Sequence, residues 1–183
     1  PNMINKIAYK ALLGSLVKVI SESPEVVPNA CRIISDHNLI RKSLVMPSEI
    51  IVAYEQVAKI NSTNARVVLM ALENALNYSV ENAPKFNGET LVVLDESGSM
   101  GGKPALIGSL FASVLCKINA CDLMTFGSLA RYRHYNPNDS VMTIAKSINF
   151  ASGGTNFNSI FTTINKRYDR IIILSDMQGW MGY

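Results

Sequence analysis

The sequence predicts two regimes in order, an α-helical segment followed by an α/β doubly wound domain. Three observations predict this. Apolar residues recur at helical spacing from Met3 to about Ala83. After Thr90, short apolar runs of strand length alternate with helical stretches, the pattern of a parallel or mixed sheet covered on both faces. Between the two, "NAPKFNGET" gathers the Pro, Gly and Asn of a linker. The expected domains are therefore residues 1–86, helical, and 87–183, α/β. With 183 residues, 48% of them hydrophobic and 17% charged, the chain can bury one or two modest cores, and its composition excludes a disordered protein.

The helical half is read first. "NKIAYKALLGSLVKVI" places Ile7, Leu12, Leu13, Leu16, Val19 and Ile20 on one apolar face. "SESPEVVPNACRIISD" suggests a second helix, with Pro24 suited to a first turn and Pro28 leaving the start open. "HNLIRKSLVMP" is short enough for a helix or a turn. "PSEIIVAYEQVAKI" and "NARVVLMALENALNYSV" predict two further helices, expected as an antiparallel pair. No repeat of fixed period is evident, although this half reads as the end of a helix-pair array.

In the second half "TLVVLD" is a buried strand and "ALIGSLFASVLCKI" a helix. "DLMTFGS" and "ARYRHYN" are two strands joined by a turn. "SVMTIAKSI" and "FNSIFTTINKRY" are helical in length, and "RIIILSD" is another buried strand.

Charge and cysteine content narrow the function classes. A net charge of +3, spread along the chain, permits contact with polyanions without requiring it. The three cysteines, Cys31, Cys116 and Cys121, are odd in number and form no CxxC motif, which favours a reducing cytoplasm over secretion and excludes a thiolate zinc site. No apolar stretch approaches the roughly 20 residues that span a bilayer, and "PNMINKIAYK" lacks the features of a signal peptide. The expectation is a soluble chain without a membrane partner. Because it begins with Pro1, it reads as a piece of something longer.

The chemistry concentrates where strands end. In a doubly wound sheet ligands collect at the carboxyl ends of the strands, and both "VVLD" and "IIILSD" end in an Asp there. Asp95, Ser97 and Ser99 offer one carboxylate and two hydroxyls, Gly98 lets their loop bend, and "GGTNF" brings Thr155 on a second loop. With Asp176, every candidate ligand is oxygen. Such a set suits a hard divalent cation, Mg²⁺ first and Mn²⁺ second. A lone D-x-S-x-S is equally compatible with serines that cap the next helix and an Asp that closes a turn.

D-x-S-G-S after an apolar strand, a Gly-Gly-Thr loop and a second strand ending in Asp, in this order, resemble the von Willebrand factor A domain and its metal-ion-dependent adhesion site. The resemblance implies a Rossmann-like A domain in which Asp95, Ser97, Ser99 and Thr155 coordinate Mg²⁺, with Asp176 acting mainly through water. It also implies an open position that accepts a carboxylate from a protein partner. The helical half, "NKIAYKALLGSL" and then "PNACRIISDHNLIRKSLVMPSEIIVAYEQV", looks like the carboxyl-terminal end of a TROVE module running into its A domain, the arrangement of the Ro autoantigen family. That resemblance implies a ring of helical repeats and binding of noncoding RNAs, either Y RNAs or the single-stranded ends of misfolded RNAs. It implies no enzymatic activity. Two departures go with it. Most of the ring would precede Pro1, and the sequence stops just after the strand that supplies Asp176, so the A domain is expected to be partial unless another chain completes the sheet.

Glu96 is a third departure, since the corresponding position is commonly apolar or small. Turned toward the metal it would compete with a partner's carboxylate, but strand alternation favours its pointing the other way. "RYRHYN" mixes Arg131, Arg133, His134 and two Tyr, suited to phosphate contact and stacking, with a polar edge strand as the plainer account. Arg41, Lys42, Lys59 and Arg66 lie on the helical half, where the family's RNA surface would be. Arg41, Lys42, Arg131 and Arg133 are the RNA-contact candidates. His37 is expected at the carboxyl end of a helix, and Trp180 to pack within the A domain. The competing functions are a metal-dependent protein-interaction module without an RNA role and, last, a Mg²⁺-dependent hydrolase for which Glu96 is the only evident base.

Overall fold

Among the described residues, five α-helices form the first half of the chain, and a four-stranded sheet with three α-helices forms the second. The structure, a computed structural model, describes residues 2–83, 85–151 and 153–177. The chain divides into two units, Pro1–Ala83 and Pro84–Tyr183.

In the first unit, α1 (Asn2–Glu22) is followed by a 3-10 turn at Pro24–Val26, α2 (Val27–Ile34), α3 (His37–Ser43), α4 (Pro47–Val57) and α5 (Thr63–Ser79). The single helix expected after α1 is divided because Pro28, at the start of α2, has no N–H with which to continue the preceding turn. Tyr9, Leu13, Leu16 and Ile20 make the buried stripe of α1. This helix packs on α2, α3 and α4, while α5 packs on the same three. Ile34, Ile40, Ile50, Val57, Val68 and Leu72 are wholly buried between them.

Polar groups fix the ends of these helices. Asp36 caps α3 by accepting from Leu39 N at 2.9 Å, and Ser62 caps α5 by accepting from Ala65 N at 3.1 Å. The Glu49 carboxylate accepts from Met46 N at 2.9 Å at the start of α4 and pairs with Lys10 of α1. Asn82 donates to the carbonyls of Ile40 and Val45, closing the left-handed exit of α3 at Leu44. His37 departs from expectation. It opens α3 rather than closing a helix, and at that positive dipole end it lies 3.1 Å from Glu81 and stacks on Tyr78. The N-capping role of Asp36 explains the reversal.

In the second unit, β1 (Thr90–Asp95) is parallel to both β2 (Asp122–Phe126) and β4 (Arg170–Leu174), and β3 (Ala130–Arg133) runs antiparallel to β2. The sheet order is β3-β2-β1-β4. With a parallel partner on each side, β1 is buried along its full length. Val92 and Leu94 face a cluster with Ala112 and Cys116 of α6 (Lys103–Asn119) and with Ile148, just after α7 (Val141–Ser147). Leu91 and Val93 face the opposite cluster, with Met124, Phe126 and Ile160 of α8 (Asn158–Thr163). Both faces are therefore covered, which is why β1 reads as an unbroken apolar run. Helix α8 is shorter than "FNSIFTTINKRY" suggests, because Tyr168 is drawn to Asp122 at 2.7 Å and Lys166 to Glu89 at 2.9 Å, outside any helical path. Gly108 allows α6 to lie close to β1, since a Cβ there would meet the Leu94 side chain at 2.8 Å.

Candidate functional site

The site grows from the carboxyl end of β1. Parallel register pairs Leu94 with Leu174, so the next residues, Asp95 and Ser175, leave the sheet side by side. Ser175 Oγ donates to Asp95 Oδ2 at 2.6 Å, and Ser97 N donates to Asp95 Oδ1 at 2.9 Å. Ser97 and Ser99 hold their hydroxyls 3.2 Å apart at the start of the following 3-10 turn. A second loop is tied to the first by Gly98 N donating to Gly153 O at 3.2 Å. It carries Thr155, which is buried, and Asn156 N fixes it to Gly127 O at 2.8 Å.

Asp95 is 0% exposed. Its hydrogen-bond donors are neutral, and no cationic side chain pairs with it among the described residues. A buried carboxylate in that state is costly unless a positive charge compensates it. Among the described residues, two guanidiniums pair with its neighbour instead. Glu96, also buried, accepts from Arg131 at 3.1 Å through Oε1 and from Arg133 at 3.0 Å through Oε2. Arg133 Nε donates to the buried Thr125 hydroxyl at 2.9 Å.

The donor set around Asp95 fits a hard cation. One carboxylate and the hydroxyls of Ser97, Ser99 and Thr155 are all oxygen, on two loops bonded to each other. No group of three or more His, Cys, Asp or Glu is gathered as a metal centre among the described residues, so the ligands on offer are chiefly hydroxyls. Asp176 lies one residue beyond Ser175 and is exposed. Ser175 itself escaped the sequence reading. The signal was present, because a strand parallel to β1 places the residue before "D" opposite Asp95.

Sequence comparison is silent here, as no family model and no curated protein matches this chain. Structure comparison is not. The fold is similar to that of the Deinococcus radiodurans Ro (RSR) protein. The TM-score is 0.67 at 18% identity, with 94% of this chain and 40% of that one covered. This chain thus spans less than half the length of that neighbour, and the likeness is one of fold.

The remaining candidates separate. Arg41 and Lys42 are exposed in the last turn of α3, where positive charge complements the helix dipole. Arg66 is exposed on α5, and Lys59 pairs with Gln56 at 2.7 Å and Glu55 at 3.7 Å. Arg131 and Arg133 are engaged by Glu96, with the Arg131 side chain 50% exposed. Tyr132 and Tyr135 face opposite clusters, as alternation requires, and the Tyr135 hydroxyl donates to Cys121 O at 2.7 Å. Burial pushes the Cys116 thiol up to about 12 and the Cys121 thiol up to about 11, which makes both inert core groups. At the other end of β2, Asp122 is held below the usual carboxylate range, first by its hydrogen bond from Lys166. Trp180 lies outside the described residues. No helix among the described residues is long and apolar enough to cross a membrane.

Proposed function

We propose that this chain is part of a Ro-like RNA-binding protein whose α/β unit is a von Willebrand factor A-type domain with a Mg²⁺ site. The observation that carries the metal reading is the buried Asp95 carboxylate, without a cationic partner among the described residues, beside the hydroxyls of two bonded loops. Fold similarity to the Ro (RSR) protein supports the family reading. Asp95, Ser97, Ser99 and Thr155 would hold the cation, with Asp176 acting through water; Mn²⁺ is the second choice. When bound, the cation supplies a positive centre able to accept an anionic oxygen from a partner. The residues do the rest. Ser175 and the Ser97 N–H orient the Asp95 carboxylate, and the Gly98–Gly153 bond holds the two loops together.

In this reading RNA is bound by exposed basic residues of the helical unit, with Arg41 and Lys42 as candidates. The protein acts by binding and has no catalytic step. The test pairs a calorimetric Mg²⁺ titration of the wild type and Asp95→Ala with electrophoretic shifts of structured noncoding RNA and DNA, with and without EDTA. Saturable heat lost in the variant, with RNA preferred over DNA, is the expected result. Equal affinity for DNA would overturn the RNA reading, and no Mg²⁺ binding would overturn the metal reading.

A second reading, a protein-interaction module whose cation takes a partner's carboxylate without any RNA role, is favoured by one observation. Glu96 occupies Arg131 and Arg133, the candidates for RNA contact on the α/β unit. Protein partners that survive both EDTA and Asp95→Ala in a pulldown would exclude it.

A further inference from the structure

We propose that Glu96, with Arg131 and Arg133, is the positioning device of the cation loop, and that it acts by geometry rather than as a ligand. The inference rests on the metal reading above. Glu96 stands between two candidate ligands, Asp95 and Ser97, yet both of its carboxylate oxygens are taken by guanidiniums of β3. Its backbone N–H donates to Phe126 O at 2.7 Å, and its side chain passes beside Gly127 on the way to β3. Residue 96 thereby ties β1 to β2 through the backbone and to β3 through the side chain, at the point where the loop leaves the sheet.

The arginines are anchored in turn. Arg133 Nε donates to Thr125 Oγ1 at 2.9 Å inside the sheet, and its terminal nitrogen reaches Asn149 O at 3.4 Å. The Glu96 side chain is 2% exposed, against 27% for Arg133 and 50% for Arg131. The carboxylate is therefore enclosed and its cations form the lid. Two consequences follow for the loop. Glu96 is withheld from the cation, which keeps the carboxylate count low and leaves room for an outside anionic oxygen. The backbone at residues 96–98 is held where Ser97 N meets Asp95 and Gly98 N meets Gly153 O. Groups that orient ligands without touching the metal typically change its affinity about 10- to 100-fold when removed.

Charge alone predicts something different, and the difference supplies the test. A through-space effect requires Glu96→Gln to weaken Mg²⁺ binding and Arg133→Gln to strengthen it, because the two remove opposite charges. Positioning requires both to weaken it. The experiment titrates Mg²⁺ calorimetrically into the full chain as wild type, Glu96→Gln, Glu96→Asp, Arg133→Gln and Asp95→Ala, with urea midpoints measured alongside. Arg131→Gln, at the half-exposed partner, replaces Arg133→Gln if that variant fails to fold. The expected result is an affinity loss of about 10-fold or more in both Glu96→Gln and the arginine variant, with partial recovery in Glu96→Asp. Opposite signs for the glutamate and arginine variants, or no change in either, would overturn the proposal.

Hydrogen exchange in the metal-free chain forms a second arm. Faster exchange at the amides of Glu96, Ser97 and Gly98 in both variants is expected, and unchanged exchange would overturn the positioning role. If the wild type takes up no Mg²⁺ at all, the metal reading fails on its own, and this arm still decides whether the clamp orders the loop.

Discussion

Ser175→Ala isolates the support that the fold gives to Asp95. The substitution removes the hydroxyl that donates to Asp95 Oδ2 at 2.6 Å and accepts from Met177 N at 2.9 Å, leaving Ser97 N as the remaining donor to a wholly buried carboxylate. Hydrogen bonds to charged groups are worth about 1.5–3 kcal/mol, so a deficit of about 2 kcal/mol is expected in EDTA. Mg²⁺ enlarges it. At a hundred times its dissociation constant a ligand stabilises by about 2.7 kcal/mol, but with tenfold weaker affinity the same concentration gives about 1.4 kcal/mol. Tenfold is the lower end of what losing a ligand-orienting partner costs, which raises the deficit to about 3.3 kcal/mol. With a urea slope of about 2 kcal/mol per molar, the midpoint of the α/β transition falls by about 1 M in EDTA and about 1.6 M in Mg²⁺. Urea unfolding followed by near-ultraviolet circular dichroism, run in parallel in the two buffers, reads both shifts. Equal deficits in the two buffers would refute a role for Ser175 in cation affinity, and a wild-type midpoint unchanged by Mg²⁺ would refute cation binding. No deficit in EDTA would refute the orienting role of Ser175.

In the helical unit, Leu72 is 0% exposed and Met70 is 68% exposed on the same helix. Leu72→Ala should cost about 2–5 kcal/mol, whereas Met70→Ala should stay within about 0.5 kcal/mol, both read as urea midpoints. Asp36→Ala removes the acceptor of Leu39 N and should cost about 1 kcal/mol. For the thiols, native chain treated with a disulfide reagent at pH 8 should label Cys31 well before Cys116 and Cys121, which are buried; equal rates would contradict the packing. The sign of their pH dependence also follows. Unfolded thiols release protons near 9 while the folded ones hold theirs to about 12 and about 11. Stability contributed by these thiols is therefore full below pH 9 and falls as pH rises toward 11, by up to about 1.4 kcal/mol per pH unit for each thiol. Cys116→Ala should flatten that slope, and an unchanged slope would contradict it.

Strand and helix order was legible in the sequence because burial on both sides of β1 leaves an unmistakable apolar run and because Ser, Asp and Pro mark the helix starts. Endings were less legible. Nothing local in "INKRY" says that α8 stops at Thr163, since the reason is tertiary: Lys166 and Tyr168 are recruited by Glu89 and Asp122, far away in sequence. His37 failed in the same way, because "SDHN" looks alike at either end of a helix until Asp36 is seen accepting from Leu39 N. At the candidate site, Asp95, Ser97 and Ser99 are visible as a motif because they alternate along one short stretch. Ser175 and the Glu96 clamp are not, because each needs the strand register: Leu94 opposite Leu174 brings Ser175 to Asp95, and Thr125 opposite Arg131 brings β3 within reach of Glu96.

The two carboxylates at the end of β1 show how that register sorts chemistry. Asp95 continues the parity of Leu91 and Val93, and Glu96 that of Val92 and Leu94, so successive acids are delivered to opposite sides of one sheet. On the Glu96 side the next strands supply Thr125, Arg131 and Arg133, which neutralise it. On the Asp95 side the residue after the neighbouring strand supplies the Ser175 hydroxyl, and the loops add further hydroxyls. A buried carboxylate with neutral oxygen neighbours is costly to keep charged, whereas one between two guanidiniums is compensated. The contrast between neighbours is what supports the metal reading proposed above: among the described residues Arg131 and Arg133 pair with Glu96, whereas Asp95 meets neutral donors.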